Sequence, residues 1–587
     1  MLRRLALLLT LVVLLPVLPG SVPPPDPVRA GRGLVVSAHV AASEAGVEVM
    51  RQGGNAIDAA VATGFALAVT YPVAGNIGGG GFMVIRFADG TATTIDYREK
   101  APAAASRDMY LDPDGNVIPM LSRRGHLASG VPGSVAGLVK AHAEHGQLPL
   151  DQVMAPAIRL AADGFVLTHR HAQRFNAYYD PFIDYESTAR YFTKGDSTQR
   201  YEAGEVFVQR DLATVLERIA QEGRDGFYRG PTADLIVAEM ERGGGLITHA
   251  DLAAYEAVER APIVGTYRGH RVLSMAPPSS GGIALMQLLH AVEPYDIGAM
   301  GWNSSATVHL MGEAMRRAYA DRAEWLGDTD FVPVPIDELT SRAYTQARMQ
   351  SFNPHRADTS ATLGHGQPVP AESMETTHYS VVDEAGNAVS VTTTINGGFG
   401  SMVVVDGAGF FLNNEMDDFS AKPGVPNMFG LVGTEANAIE PGKRMLSSMT
   451  PTIVEDPEGR LMMVIGTPGG STIITTVFQV IMNVIDHGMN IQEAVAAGRV
   501  HHQWLPDVLR YERFALQQDV AHNLRLRGWD VAERGGTWGR ADGILVRYDA
   551  TEAYTDPSSL DALEAVSVGR TFFGGADPRG EDAAVGY

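Results

Sequence analysis

The 587-residue chain contains no cysteine. That absence excludes disulfides, thiolate metal ligands and a cysteine nucleophile together. Positive charge is also scarce: 46 Lys plus Arg stand against 68 Asp plus Glu, for a net charge of −22 at pH 7. Such a balance repels phosphate backbones and anionic lipid surfaces, so nucleic acid is not expected as a partner. Other signatures are missing as well. The run GNIGGGG, residues 75–81, lacks the Lys-Ser/Thr of a phosphate loop and does not match the dinucleotide glycine pattern, so no nucleotide is implied. It reads instead as a place where backbones pack tightly. His142 and His145 have no HExxH context and His501 and His502 are adjacent, so neither a metal nor any other cofactor is expected. PPSSGG at 277–282 is not a nucleophile elbow.

What remains is an ordinary soluble composition, 45% hydrophobic and 19% charged, with 64 Gly and 33 Pro. The length exceeds what one small core holds, so several domains or one large layered α/β unit is expected. Arg3 and Arg4 precede an apolar run from Leu5 to about Leu18, shorter than the roughly 20 residues of a spanning helix. Residues 1–20 therefore read as a secretory signal peptide, with an uncleaved membrane anchor as the alternative; the surroundings of the paired arginines fit a twin-arginine signal poorly. Residues 21–33 read as an extended, proline-rich linker.

Two helices are expected next. The first ends at Gly53-Gly54 and the second starts with Asn55 as its cap. The second is apolar on nearly all sides between Ile57 and Val69, which places it between layers. A hairpin turning at Asp89-Gly90 follows, then a mostly helical middle from about 130 to 350. From 376 onward strands dominate, then a helical stretch at about 472–498, then strands again, a pattern of sheets covered by helices.

The segment ETTHYSVVDEAGNAVSVTTTIN, residues 375–396, reads as two strands, 376–382 and 388–395, joined by a turn at Gly386 and Asn387. A hairpin centred on Ala385 places Thr394 across from Thr376. Facing side chains in such a pair have Cβ atoms about 4.5–5.5 Å apart, within reach of hydroxyl-to-hydroxyl contact. On this segment alone, the ordinary reading is that threonine simply suits strands.

The rest of the chain adds to it. IDYREKAPAAASRDMY, TTHYSVVDEAGNAVSVTTTIN, FLNNEMDDFSAKPGVPN, KRMLSSMTPTIV and GTPGGSTIITTV resemble, in order and spacing, the γ-glutamyltranspeptidase (glutathione hydrolase) family of bacterial type. The resemblance runs from about residue 32 to the closing GADPRGEDAAVGY. It implies an α/β fold, the four-layer αββα sandwich of the N-terminal-nucleophile hydrolases, made as one precursor that cuts itself between Glu375 and Thr376. Residues 34–375 would form the large subunit and 376–587 the small catalytic subunit, both contributing to one folded unit.

The family's nucleophile falls on Thr376 and its second, orienting threonine on Thr394. Gly469 and Gly470 match the oxyanion hole, although TPGGST by itself reads as a plain turn. Arg98 matches the clamp on the substrate's α-carboxylate, with Ser447 and Ser448 as added hydroxyl donors. Asn396, Glu415 and Asp418 match the residues that hold the α-ammonium. Each of these charges alone reads as a solvated charge or an ordinary polar contact. Between Pro423 and Arg444 lies a lid-like segment, in which Phe429 stands where many bacterial members carry tyrosine. DATEAYTDPSSLDALEAVSVGRTFFG, from Asp549, reads as a surface insertion.

The implied activity is hydrolysis of glutathione and other γ-glutamyl compounds, or transfer of the γ-glutamyl group to an amino acid or dipeptide. Alternatives are a cephalosporin (glutaryl) acylase of the same family and a homologue that never matures and serves as a binding protein. A periplasmic location is expected, or a secreted one.

Overall fold

The computed structural model describes residues 26–195, 198–363, 376–536, 538–549 and 569–587. The expected signal peptide and Glu375 lie outside them. Two seven-stranded antiparallel sheets form the centre. Sheet I runs, in spatial order, Ala583–Gly586, Leu34–Ser37, Thr377–Val382, Ala388–Thr394, Gly80–Arg86, Ala92–Asp96 and Val258–Arg260. Sheet II runs Val28–Ala30, Gly569–Gly575, Asp542–Asp549, Leu461–Gly466, Thr452–Glu455, His270–Ser274 and Ile263–Tyr267. Chain from both sides of residue 376 enters each sheet, so the two parts share their cores.

The sheets face one another across a small apolar layer. Leu34, Val36, Val84 and Val382 of sheet I meet Leu273, Ile453, Val464, Ile544 and Phe572 of sheet II. Helices Val40–Arg51 and Ala56–Thr70 cover the other face of sheet I, and helices Gly281–Val292, Thr472–Ile485 and Ile491–Ala496 cover the other face of sheet II. The order is helix, sheet, sheet, helix.

Local chemistry explains the elements that position the site. All fifteen residues of helix Ala56–Thr70 are buried, as the apolar composition requires. Its start is fixed by a reciprocal cap: the Asn55 side chain accepts from the N–H groups of Ile57 (2.9 Å) and Asp58 (3.0 Å), and Asp58 accepts from the Asn55 N–H (3.0 Å). The hairpin after residue 376 pairs Thr377 with Thr393 and Val382 with Ala388, the register expected from the turn. Asp383 shapes that turn by accepting from the N–H groups of Gly386 and Asn387, both at 2.9 Å. Gly386 takes φ 97° there, a region that glycine enters without steric cost. The other Asp383 oxygen accepts from the Ala56 N–H at 2.9 Å, tying the hairpin to the buried helix.

Three readings of the sequence change. Val28–Ala30, inside the expected linker, is an edge strand paired with residues 572–574. The expected helical middle also holds three strands between Val258 and Ser274; they are short and alternate with turn residues, so they carry no helical period. Residues 550–568 of the expected surface insertion lie outside the described residues, but Gly569–Gly575 is no insertion. It pairs with Asp542–Asp549 in sheet II, and Phe572 is fully buried between the sheets. Among the described residues no helix is long and apolar enough to cross a membrane.

Phe572→Ala is therefore expected to cost about 3–5 kcal/mol, read as a lowered urea midpoint. A change within about 0.5 kcal/mol, as at an exposed site, would return this strand to the surface.

Candidate active site

The site sits where the two sheets end together. Thr376 lies just before strand Thr377–Val382 and Thr394 closes the neighbouring strand. Their hydroxyls meet, Oγ1 to Oγ1, at 3.4 Å. Both residues are buried. Thr394 Oγ1 also accepts from the Asn396 N–H at 2.7 Å, which fixes the hydroxyl facing Thr376. Asn396 holds φ 72°, and its side-chain amide donates to the Asn414 carbonyl at 2.9 Å.

The glycine run 75–81 supports this pair from behind. A Cβ on Gly79 would lie 2.0 Å from the Thr394 carbonyl oxygen, and one on Gly81 would lie 2.5 Å from that of Thr392. Asn76 anchors the same turn: its amide donates to the Thr394 carbonyl at 2.9 Å, and its oxygen accepts from the Gly79 N–H at 2.9 Å and from Ser134 Oγ at 2.7 Å. The run is thus a packing device. His378, two residues beyond Thr376, is bound to hydroxyls on both ring nitrogens, Thr392 at 2.9 Å and Ser380 at 3.1 Å. Burial lowers its pKa to about 3, so it stays neutral and is spent on structure.

A small cleft opens in front of Thr376, lined in part by Arg98, Asn396, Glu415, Asp418, Ser447 and Ser448. The fully buried Arg98 donates to Glu415 and, at 2.5 Å, to Asp418. The cation and the two carboxylates are therefore in contact. Glu99 is a third carboxylate beside the same guanidinium, at 3.5 Å. Burial raises the Asp418 pKa to about 6 and the Glu99 pKa to about 7, with Arg98 opposing the shift in both. Burial also holds Glu415 well above the usual carboxylate range, Arg98 again opposing. For Arg98 itself, burial works against the cation, but Glu415, Glu99 and Asp418 outweigh it and raise its pKa.

The strand Leu461–Gly466 runs into the turn holding Gly469 (φ 140°) and Gly470 (φ 53°). Their carbonyls accept the first bonds of helix Thr472–Ile485. Among the described residues no acceptor engages the N–H of either glycine. Gly470 lines the cleft, as does Phe429. A Cβ on Gly470 would reach the Phe429 ring at 2.5 Å, so the lid residue lies directly on this turn. The lid is held by Met428 N–H donating to Asp417 (2.8 Å), Asn427 donating to Asp418 (3.1 Å) and Gln503 donating to the Phe429 carbonyl (3.2 Å).

Comparison with known proteins settles the relationship. The profile of the family described as gamma-glutamyltranspeptidase matches residues 42–566. The chain belongs to that family. It is 49% identical over 543 residues to the glutathione hydrolase proenzyme of Escherichia coli (strain K12), covering 92% of each. Among solved structures it is similar to the cephalosporin acylase of Bacillus halodurans, with a TM-score of 0.81, 28% identity, and 97% and 99% of the two chains covered. It is also similar to the Helicobacter pylori gamma-glutamyltranspeptidase, with a TM-score of 0.55 and 47% identity over 56% of this chain and 94% of that one.

Every site residue expected from the sequence and present in the described chain comes to this cleft or, for Gly469, to the turn beside it. The sequence reading missed Asn76, Glu99 and Arg322. Asn76 sat inside the glycine run already singled out; Glu99 follows Arg98 directly. Arg322 gives no local signal, because it lies in the long helix Ser305–Trp325 beside other buried arginines.

Gly79→Ala should displace the Thr394 carbonyl and slow precursor cleavage by about 100-fold, the order of loss that a 1 Å misplacement can cause. A gel time course measures it. Gly31→Ala, whose Cβ meets nothing within 4 Å, should cleave at the normal rate.

Proposed function

We propose that this protein is a self-cleaving γ-glutamyltranspeptidase and glutathione hydrolase in which Thr376 is the nucleophile of both maturation and turnover. The observation that carries the reading is the Thr376–Thr394 hydroxyl contact at the mouth of a cleft holding Arg98, Glu415 and Asp418. In the precursor the Thr376 hydroxyl attacks the Glu375 carbonyl and shifts that bond from amide to ester. Water cleaves the ester and releases the α-amine of Thr376. With a reference pKa of about 7.7–8.0, this amine is suited to act as a base near neutral pH, so one residue supplies nucleophile and base.

In turnover the amine takes the hydroxyl proton as Thr376 Oγ1 adds to the γ-carbonyl of the donor. The N–H groups of Gly469 and Gly470 receive the negative oxygen that forms, pre-aimed and without reorganisation. The proton passes to the leaving amine, and a γ-glutamyl ester remains on Thr376. Water, or the amine of an amino acid or dipeptide, then takes the γ-glutamyl group. At the far end of the donor, Arg98 with Ser447 and Ser448 binds the α-carboxylate, and Asn396, Glu415 and Asp418 bind the α-ammonium.

The cephalosporin acylase similarity keeps a second reading in view, that of a glutaryl-type side chain. Such a substrate has no ammonium, and it would leave the carboxylates of Glu415 and Asp418 facing a methylene group. Glutathione and related γ-glutamyl amides are therefore assigned as donors, and the reading of residues 1–20 as a signal peptide supports export to the periplasm, or secretion.

Thr376→Ala should run as one full-length chain on a denaturing gel and turn over nothing; two bands from this variant would refute the role of Thr376. γ-Glutamyl-p-nitroanilide should exceed glutaryl-p-nitroanilide in kcat/KM by about 30-fold or more, since losing the ammonium removes its charge-assisted contacts with the buried carboxylates. The reverse order would make the protein an acylase. Because Asp418 titrates near 6 and only its ionised form attracts an ammonium, kcat/KM for the γ-glutamyl substrate should climb as pH rises through about 6. Asp418→Asn should remove that limb; an unchanged profile would assign it to another group.

A further inference from the structure

Gln503 meets the lid and the glycine turn with one side-chain amide. Its Nε2 donates to the Phe429 carbonyl at 3.2 Å, and its Oε1 accepts from Ser471 Oγ at 2.7 Å. Oε1 also lies 2.9 Å from His501 Nε2. A carbonyl can only accept, so the contact with Phe429 fixes which end of the amide faces the lid. The other end then takes protons from both Ser471 and His501. Burial lowers the His501 pKa to about 3, so the ring is neutral and its single proton sits on Nε2. Its Nδ1 accepts from Thr475 Oγ1 at 2.9 Å. Gln503, Ser471, His501 and Thr475 are all buried, where a complete set of hydrogen bonds holds one geometry and a missing one is costly.

Both segments joined by this amide border the cleft. Ser471 directly follows Gly470, the residue on which the Phe429 ring lies, and the Ser471 carbonyl is held by the Tyr319 hydroxyl. Phe429 has no ring hydroxyl, so hydrogen bonding at this residue falls to its main chain: the N–H donates to the Asn427 side chain at 2.9 Å, and the carbonyl accepts from Gln503. Gly430 follows at φ 70°, and a Cβ there would stand 3.2 Å from Gln503 Nε2. The chain around Gln503 is itself braced. Trp504 donates from its N–H to His502 Nδ1 at 3.1 Å and from Nε1 to the Ser360 carbonyl at 3.2 Å, and the Leu505 N–H donates to the Gln503 carbonyl at 2.8 Å. Asp418 and Asp417 hold the neighbouring lid residues Asn427 and Met428; Gln503 adds the tie to the glycine turn.

We infer that Gln503 is a positioning residue that latches the lid over the cleft and holds it in one geometry with the turn of Gly469 and Gly470, favouring an amine over water as acceptor of the γ-glutamyl group. This rests on the reading of the reaction given above. The latch carries no charge and acts through Phe429 and Ser471. When its donor end is lost, the Phe429 carbonyl has no partner, the lid opens more often, and water reaches the ester more freely. When its acceptor end is lost, Ser471 loosens beside the turn.

The test uses matured Gln503→Met, which nearly keeps the volume and removes both ends of the amide. Backbone hydrogen exchange, followed by mass spectrometry, should rise at least about 5-fold across residues 425–431 and stay unchanged across the hairpin 377–394. With γ-glutamyl-p-nitroanilide and glycylglycine, the ratio of transfer to hydrolysis should fall at least about 3-fold. Lid exchange that does not change, or that rises equally in the hairpin, overturns the latch; faster lid exchange with an unchanged ratio overturns its role in choosing the acceptor. Should Gln503→Met fail to mature, exchange of the wild-type protein in rising urea decides: residues 425–431 and 469–473 should open together, and a lid that opens separately overturns the inference. Wild-type enzyme inactive on γ-glutamyl-p-nitroanilide would instead sink the reading of the reaction, and the exchange result would then decide the latch by itself.

Discussion

Close backbone approach at one end of sheet I is the constraint on which the rest depends. Two threonine hydroxyls can meet only if their strands pair in one register, and a slip of one residue would turn the second hydroxyl to the opposite face. The glycine run allows no slack. With carbonyls of Thr392 and Thr394 lying where side chains would otherwise stand, the strand Gly80–Arg86 docks at one height. Asn76 then ties the end of the neighbouring strand to the turn. The turn at Asp383 secures the other end of the hairpin to helix Ala56–Thr70. Thr376, the proposed nucleophile, is placed by main-chain packing.

Electrostatics in the cleft follow a different rule. Three carboxylates gather on Arg98 while Arg322 contacts only hydroxyls. Cations and carboxylates thus stand together in one buried cleft. Their burial also makes them sensitive: desolvation raises the pKa of Asp418 to about 6 and that of Glu99 to about 7.

The long helix Ser305–Trp325 joins these two parts. Tyr319 donates to the Ser471 carbonyl next to the glycine turn, and Arg322 reaches the Ser280 and Ser448 loops. A helix that precedes Thr376 in the chain thereby shares hydrogen bonds with the Ser448 and Ser471 loops that follow it.

The sequence by itself determined the signals that are local. The Asn55 cap, the Asp89-Gly90 turn and the hairpin register that faces Thr376 with Thr394 all follow from turn chemistry and period, and all stand in the structure. Family motifs extended that reading to the residues of the cleft. Tertiary structure alone decided what depends on distant partners. Phe572 became core because its strand finds residues 542–549, although its flanking sequence looked like an insertion. His378 became inert because hydroxyls and a glycine close around it. Arg322 came to the cleft because its long helix carries it to the hydroxyls of Ser280 and Ser448. Pairing, desolvation and charge balance are properties of neighbourhoods, and those neighbours lie up to hundreds of residues away along the chain.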